Sequence, residues 1–332
     1  MNLYHTLVVC LFYLVRWETI ASCSLGASLT VYLYYETEGD SSWDGGGLSW
    51  TLLSFAVITP MTSSIKMAFR RRETALESIA TLRATAYNIY SAHALWDWKD
   101  PSSTQPSGRA TQTNFSSLHH SDEIAKTLIL IGQELAKLLT LPCTTRSRHR
   151  VTWQGKQECI KLTTISKQIM RTIIALHLNT LTLKCEHLKQ EGLPSNEASR
   201  IRQWERILLE QINILRNIKT YRTPQALRSF ARLFAIILPG FYSPFFAQIA
   251  RDIQSLTFGL IFAMLTSIAL TALFESIRVL EDPFVANTTL DSIDIKEELD
   301  IVFRSELIDA RIFFFPDAEE LELDSETKEK KT

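Results

Sequence analysis

IQSLTFGLIFAMLTSIALTALF, residues Ile253 to Phe274, holds no charged residue and ends abruptly at Glu275. A helix needs about 17 to 25 residues to cross a hydrocarbon layer of roughly 30 Å, and this run meets that length. Long uncharged runs with charged ends are what a bilayer demands, because a spanning helix satisfies all its backbone polar groups internally. A second such stretch, Leu48 to Ile65, stops at Lys66 and is followed by the basic cluster Arg70, Arg71 and Arg72. Thr19 to Tyr35 and Leu233 to Ala250 also reach the required length, so the chain reads as an integral membrane protein with about four transmembrane helices.

Bulk composition conceals this. Over 332 residues the formal net charge is -1 and the mean hydropathy +0.01, because two apolar ends are averaged with a polar middle. The balanced charge offers no basic surface for nucleic acid. Five cysteines (Cys10, Cys23, Cys143, Cys159 and Cys185) form no CxxC pair, which argues against a disulfide framework or a zinc site. The GxSxG, HExxH, GxGxxG and GxxxxGK[ST] signatures are absent, so neither an enzyme nor a cofactor is expected. His177, Cys185 and His187 fit no usual metal spacing and are expected to pack or point to solvent along one helix. His119 and His120 are expected to be exposed in a polar break.

Charge flanking the spans sets a topology. The loop Glu36 to Gly47 carries Glu36, Glu38, Asp40 and Asp44 without a Lys or Arg. The second span exits into a basic cluster, Arg222, Arg228 and Arg232 border the third, and Arg278 follows the fourth. By the positive-inside bias, both termini and the whole middle lie on the inner side. Met1 to Val15 reads as an interfacial helix feeding the first span. Pro239, Gly240 and Pro244 predict a third span that is kinked or split in two, with its freed carbonyls satisfied by neighbouring protein or water. The link Gln248 to Asp252 makes it a hairpin with the fourth.

This divides the chain into residues 1–66 (membrane region), 67–221 (inner-side helical domain), 222–278 (membrane hairpin) and 279–332 (inner-side helix and acidic tail). Within the middle, Ala75, Ile79, Leu82, Ala86, Ile89 and Tyr90 recur at helical spacing, so the second span is expected to continue as one long helix. Asp100 to Ser121, rich in Pro and Ser, is expected to break it. Further helices are predicted over Asp122 to Leu141, Gln157 to Glu191 and Asn196 to Thr220, the last with Ser195 as N-cap. Leu290 to Ala310 reads as an amphipathic helix, and Asp317 to Glu326 as a solvated acidic tail. Lys328 and Lys330 have the spacing of a dilysine signal for retrieval to the endoplasmic reticulum.

On the second span, Leu52, Phe55, Ala56, Thr59, Ser63 and Lys66 share one helical face. Several copies around an axis would give an apolar collar, then hydroxyls, then a positive ring, a lining that passes ions and prefers anions near its inner mouth. The same face also reads as ordinary helix packing, with hydroxyls bonding their own backbone and Lys66 snorkelling to the interface. Pro60 would loosen this helix locally and form a constriction or gate.

Leu280-Glu281-Asp282-Pro283-Phe284, followed by Leu290-Asp291-Ser292-Ile293, resembles the segment that closes the last membrane helix of bestrophins and their bacterial and plant relatives. Ser54-Phe55-Ala56-Val57, leading to Ala68-Phe69-Arg70-Arg71-Arg72-Glu73, is similar to the second helix of that family, and Tyr221-Arg222-Thr223-Pro224 fits the same plan. The resemblance implies an all-α, bestrophin-like homopentamer whose second helices line a central pore, with passive flow of chloride or other small anions. Two departures stand out: the face mixes Phe55 with Ala56, Thr59 and Pro60 where animal members have large apolar residues, and Val285 to Thr289 lacks the acidic run of their calcium clasp. Asp291 and Asp294 are weak candidates for a cation and equally caps of the next helix. Glu281 and Asp282 read either as the holders of a coupling turn or as polar anchors at the bilayer edge. A non-conducting membrane scaffold that binds a partner through its inner helices is the alternative function.

Overall fold

The computed structural model describes residues 16–36, 50–96, 110–142, 152–221, 225–284 and 292–316, together with 318 and 321. Those residues form helices and no strand. In chain order they are α1 (Trp17–Glu36), α2 (Trp50–Ala94), α3 (Ala110–Thr140), α4 (Trp153–Arg171), α5 (Asn179–Gln190), α6 (Ser195–Thr220), α7 (Gln225–Phe241), α8 (Ser243–Asp252), α9 (Leu256–Leu280), α10 (Ile295–Asp300) and α11 (Glu306–Phe314). A π-helical segment, Thr172–Leu178, joins α4 to α5, and another, Ile301–Ser305, joins α10 to α11.

Two compact units divide the chain: residues 1–72 with 222–283, and residues 73–221 with 284–332. In the first, α1 packs against α7, α8 and α9. The break expected within residues 233–250 is present. Helix α7 carries Pro239 in its last turn and ends at Phe241, and α8 restarts at Ser243 with Pro244 in its first turn. Proline has no N–H and frees the carbonyl four residues back. Ser22 of α1 donates its hydroxyl to that freed carbonyl, Ala235 O, at 3.2 Å. Ser243 Oγ lies 3.2 Å from Gly26 O and 3.3 Å from Pro239 O. Arg251 reaches Leu33 O and Tyr34 O, the last carbonyls of α1.

Glu18, Ser22, Gly26 and Thr30 form one buried row on α1 at four-residue spacing. Small residues there let backbones approach closely: a Cβ added at Gly26 would lie 3.3 Å from Pro239 Cβ. At Gly259 an added Cβ would meet Phe246 O at 2.7 Å, so the α8–α9 hairpin closes only around a glycine. The opposite surface of α9 is apolar and exposed, with Phe258, Ile261, Phe262, Leu265 and Ile268 outward. Ser229–Asp252 and Leu256–Ile277 are the stretches among the described residues that are long and apolar enough to cross a membrane.

The second unit is built on the α3 stripe Ile124, Leu128, Ile131, Leu135 and Leu138, packed with Leu82, Ile89 and Tyr90 of α2, Leu208, Ile212 and Leu215 of α6, and Leu299, Phe303 and Leu307 from the C-terminal helices. α2 does run on as one 45-residue helix, Pro60 included. Two expectations need correction. α3 begins at Ala110, inside the segment 100–121 expected to be broken, because only the Pro-rich part resists helix. Ser195 is the first residue of α6, and Pro194 stands at the N-cap without a side-chain bond; proline's fixed φ suits a helix entry, so the cap moved one residue back. The N-terminal stretch 1–15, the acidic loop 37–47, and most of the tail including Lys328 and Lys330 lie outside the described residues.

Candidate functional site

The face chosen on α2 divides into two parts. Leu52, Phe55 and Ala56 fall within the helix, and their side chains lie outside the described residues. Thr59, Ser63 and Lys66 all project from the exposed side, which also carries Ile58, Thr62, Phe69 and Arg70. Met61, Ser64 and Ala68 point the other way and are buried. Thr62 and Ser64 return their hydroxyls to Ile58 O and Pro60 O, both at 2.8 Å. Among the described residues no hydrogen bond engages the Thr59 or Ser63 hydroxyl. A row of two free hydroxyls and an ammonium thus faces outward from a helix whose other side is core.

Two ion pairs brace the helices of this unit. Arg232 Nη2 donates to Glu18 Oε1 at 2.8 Å and its guanidinium lies 5.5 Å from the Trp17 ring. Arg16 Nε approaches Glu275 Oε2 at 3.3 Å. Both carboxylates are buried. Sequence reasoning missed them, since the first span was drawn from Thr19, the first residue past the charges; the signal was Glu18 heading the row Ser22, Gly26, Thr30.

In the turn after α9, Glu281 caps the helix and is buried with Pro283. Asp282 is half-buried and belongs to the same turn. Phe284 enters the core of the second unit, where Lys219 Nζ sits 5.9 Å from its ring centre. Asp294 accepts from the backbone N–H groups of Lys296 and Glu297 as the N-cap of α10, and Asp291 lies outside the described residues. No cluster of three metal-binding side chains occurs among the described residues.

Histidines provide an unexpected feature. His119 is exposed as anticipated, whereas His120 is buried, because α3 extends through it and turns Ser117, His120, Ser121 and Ile124 inward. His93 Nδ1 and His120 Nε2 are 2.9 Å apart, and the His187 ring stacks on His120 at 5.9 Å. Burial pushes His93 down to about 3 and His120 to about 4, helped by the nearby Lys184 ammonium. Lys184 pairs with Glu123. Cys185 is buried and its thiol is pushed up to about 11, so it is unreactive. His177 is also buried, which lowers its pKa.

No family model and no curated protein matches the sequence. Solved structures do. A crystal structure of a bacterial bestrophin homologue from Klebsiella pneumoniae, a tyrosine-to-alanine variant, superposes with a TM-score of 0.62 at 13% identity, covering 89% of this chain and 99% of that one. The structure of the Klebsiella pneumoniae homologue phased on zinc gives 0.60 at 13% identity over 88% and 98% of the two chains. An isoleucine-to-threonine variant gives 0.61 at 12% over 88% and 98%. At this identity the likeness is one of fold, and it extends over nearly the whole of both chains: this protein has the bestrophin-like fold.

Proposed function

We propose that the protein is an oligomeric channel that passes chloride or other small anions passively through a pore lined by α2. The observation that carries the reading is the outward row Thr59, Ser63 and Lys66 on α2 of a bestrophin-like chain. In a homopentamer this row gives two rings of hydroxyls ending in a ring of ammonium groups, a lining that concentrates anions at the inner mouth. Leu52, Phe55 and Ala56 continue the same face as the apolar collar. Pro60 leaves the Ala56 carbonyl without a helical donor, and at membrane depth such a group requires water or protein beside it.

The exposed apolar face of α9 supports a lipid-embedded unit, since an apolar surface of that kind is a liability in water. The proposed arrangement has four spans, α1, the first part of α2, the α7–α8 pair and α9, with both termini and the helical domain inside. Glu281 and Asp282, at the end of α9, hold the turn that leads into the inner domain.

Purified protein in planar bilayers tests this. Currents whose reversal potential follows an imposed chloride gradient are the expected result, and silence from correctly assembled oligomers refutes it. Lys66→Glu should shift the reversal potential toward cation preference. An unshifted value removes Lys66 from the pathway.

A further inference from the structure

Two helix faces of the second unit are exposed in the single chain, and they differ in charge. On α4, Trp153, Lys156, Ile160, Lys167 and Arg171 recur at helical spacing, and Ile174 extends the row into the π segment that follows; all six are exposed. Trp153 and Ile160 are as much as 73% and 67% exposed. Single exposed hydrophobics need no explanation, but three of them aligned with three cations form one strip about 30 Å long at 1.5 Å per residue. From α10 into α11, Glu297, Ile301, Ser305, Asp309 and Phe313 follow one another at four-residue intervals, again all exposed. Glu298 and Asp300 flank this second row with two further carboxylates. Lys296 and Arg304 flank it too, the latter 3.8 Å from Asp300, so the face keeps an acidic excess. Helices α4 and α10 both pack on α3, so each copy of the chain carries one basic and one acidic apolar row.

We infer that the basic row of α4 docks on the acidic row of α10 and α11 of a second copy of this chain. Charge complementarity selects that partner. Pairing α4 with α4 across a two-fold axis would set three cations against three, a repulsion that works against the contact. A basic row on an acidic row is heterologous instead, and contacts of that kind propagate from copy to copy and close into a ring. Ile160 and Ile174 on one side and Ile301 and Phe313 on the other supply the apolar area, while the charges at the rim fix orientation. Lys167 stands midway between Ile160 and Ile174, and Asp309 stands between Ile301 and Phe313. Either helix direction that superposes the apolar residues therefore brings Lys167 within side-chain reach of Asp309. A basic amphipathic row also suits an anionic lipid surface, and the complementary row carried by the same chain is what favours a second copy. The inference rests on the oligomer proposed above and not on conduction through it.

Photo-crosslinking of the full-length protein in nanodiscs containing anionic lipid tests it, with p-benzoylphenylalanine placed at Ile160 and the products mapped by peptide mass spectrometry. The expected product has the size of two chains and joins α4 to a peptide within residues 294–314. The same label placed at Phe313 should capture α4 in return, which guards against a local disturbance at either position. Lys167→Glu and Asp309→Lys should each lower the yield by about fivefold, the scale of a reversed surface ion pair, with circular dichroism unchanged. Combining the two reversals should restore it. Cross-links that map to lipid, or to another part of the neighbouring chain, overturn the inference, as do reversals that leave the yield unchanged or a double variant that does not recover. Light scattering on the same samples separates the two levels of failure. An oligomer without this cross-link withdraws the contact alone, whereas a monomer withdraws the oligomer and the contact with it.

Discussion

Proline 239 shows at single-residue scale how this chain tolerates a broken helix in apolar surroundings. It frees the Ala235 carbonyl, and Ser22 of α1 supplies the replacement donor at 3.2 Å. Ser22→Ala should therefore destabilise the first unit by about 1 kcal/mol, within the range found for interhelical bonds in membranes. The check is a lower thermal midpoint in detergent, while Ser28→Ala, which removes only a bond to Leu25 O on the exposed side, should leave the midpoint unchanged. Two helix ends make a second comparison. After α5, Gly192 takes φ +96 and Leu193 N–H reaches back to Leu188 O at 3.0 Å. After α8 the same motif recurs with Ser255 N–H on Ala250 O at 2.8 Å, yet Gln254 occupies the left-handed position at φ 52. An L-residue with a Cβ is strained there and glycine is not. Gln254→Gly is expected to stabilise the hairpin by about 0.5 kcal/mol, seen as a higher unfolding midpoint.

Helices explain both what could be read in advance and what could not. Repetition of apolar residues at helical spacing from Ala75 to Tyr90 made the continuation of α2 as one rod legible, and Pro239 with Pro244 made the α7–α8 break legible before any contact was known. The row Glu18, Ser22, Gly26, Thr30 went unread because it is defined by smallness and by a charge that hydropathy places outside the span. Both π segments were invisible, since one extra residue per turn leaves no mark in composition. Its consequence is tangible at Ile301–Ser305, where Phe303 lies so near Gly132 that an added Cβ would sit 2.7 Å from its Cβ. Gly132→Ala should cost about 1 to 3 kcal/mol by overpacking. His120 was misjudged because α3 begins earlier than its Pro-rich approach suggested, and that burial has a pH consequence. His93 and His120 stay neutral in the fold, pushed down to about 3 and 4, while unfolded histidine takes a proton near 6.5. The groups around them are Lys184 and His187 on α5 and His119 and Glu123 on α3. Below about pH 6.5 the unfolded state binds more protons, so stability is full above that value and falls as pH descends toward 4 and 3. The thermal midpoint of the second unit should drop between about pH 7 and 5, and a His93→Phe, His120→Gln double variant should flatten that slope.

At the scale of the whole molecule, the same chain presents two surfaces that want different surroundings. The outward face of α9 is apolar from Phe258 to Leu273, which favours lipid. The outward face of α2 carries Thr59, Ser63 and Lys66, whose desolvation in hydrocarbon is costly, at about 2.5 kcal/mol or more for the lysine alone. One isolated copy in a bilayer cannot satisfy both, because the faces lie on helices of one unit and no described residue covers the α2 row. The proposed closed ring of copies could, with α9 turned outward to lipid and α2 inward to a shared watery axis. Cyclic closure also leaves no α2 face exposed, which an open chain of copies would not achieve. Light scattering in mild detergent should therefore give a closed oligomer of the 37.9 kDa chain, of five copies if the proposed homopentamer is right, retained in membranes through alkaline carbonate. A monodisperse monomer that stays folded would show that something other than its own copies covers Thr59, Ser63 and Lys66. An oligomer that forms only when these three are replaced by leucine would assign the row to lipid and withdraw α2 from the pore.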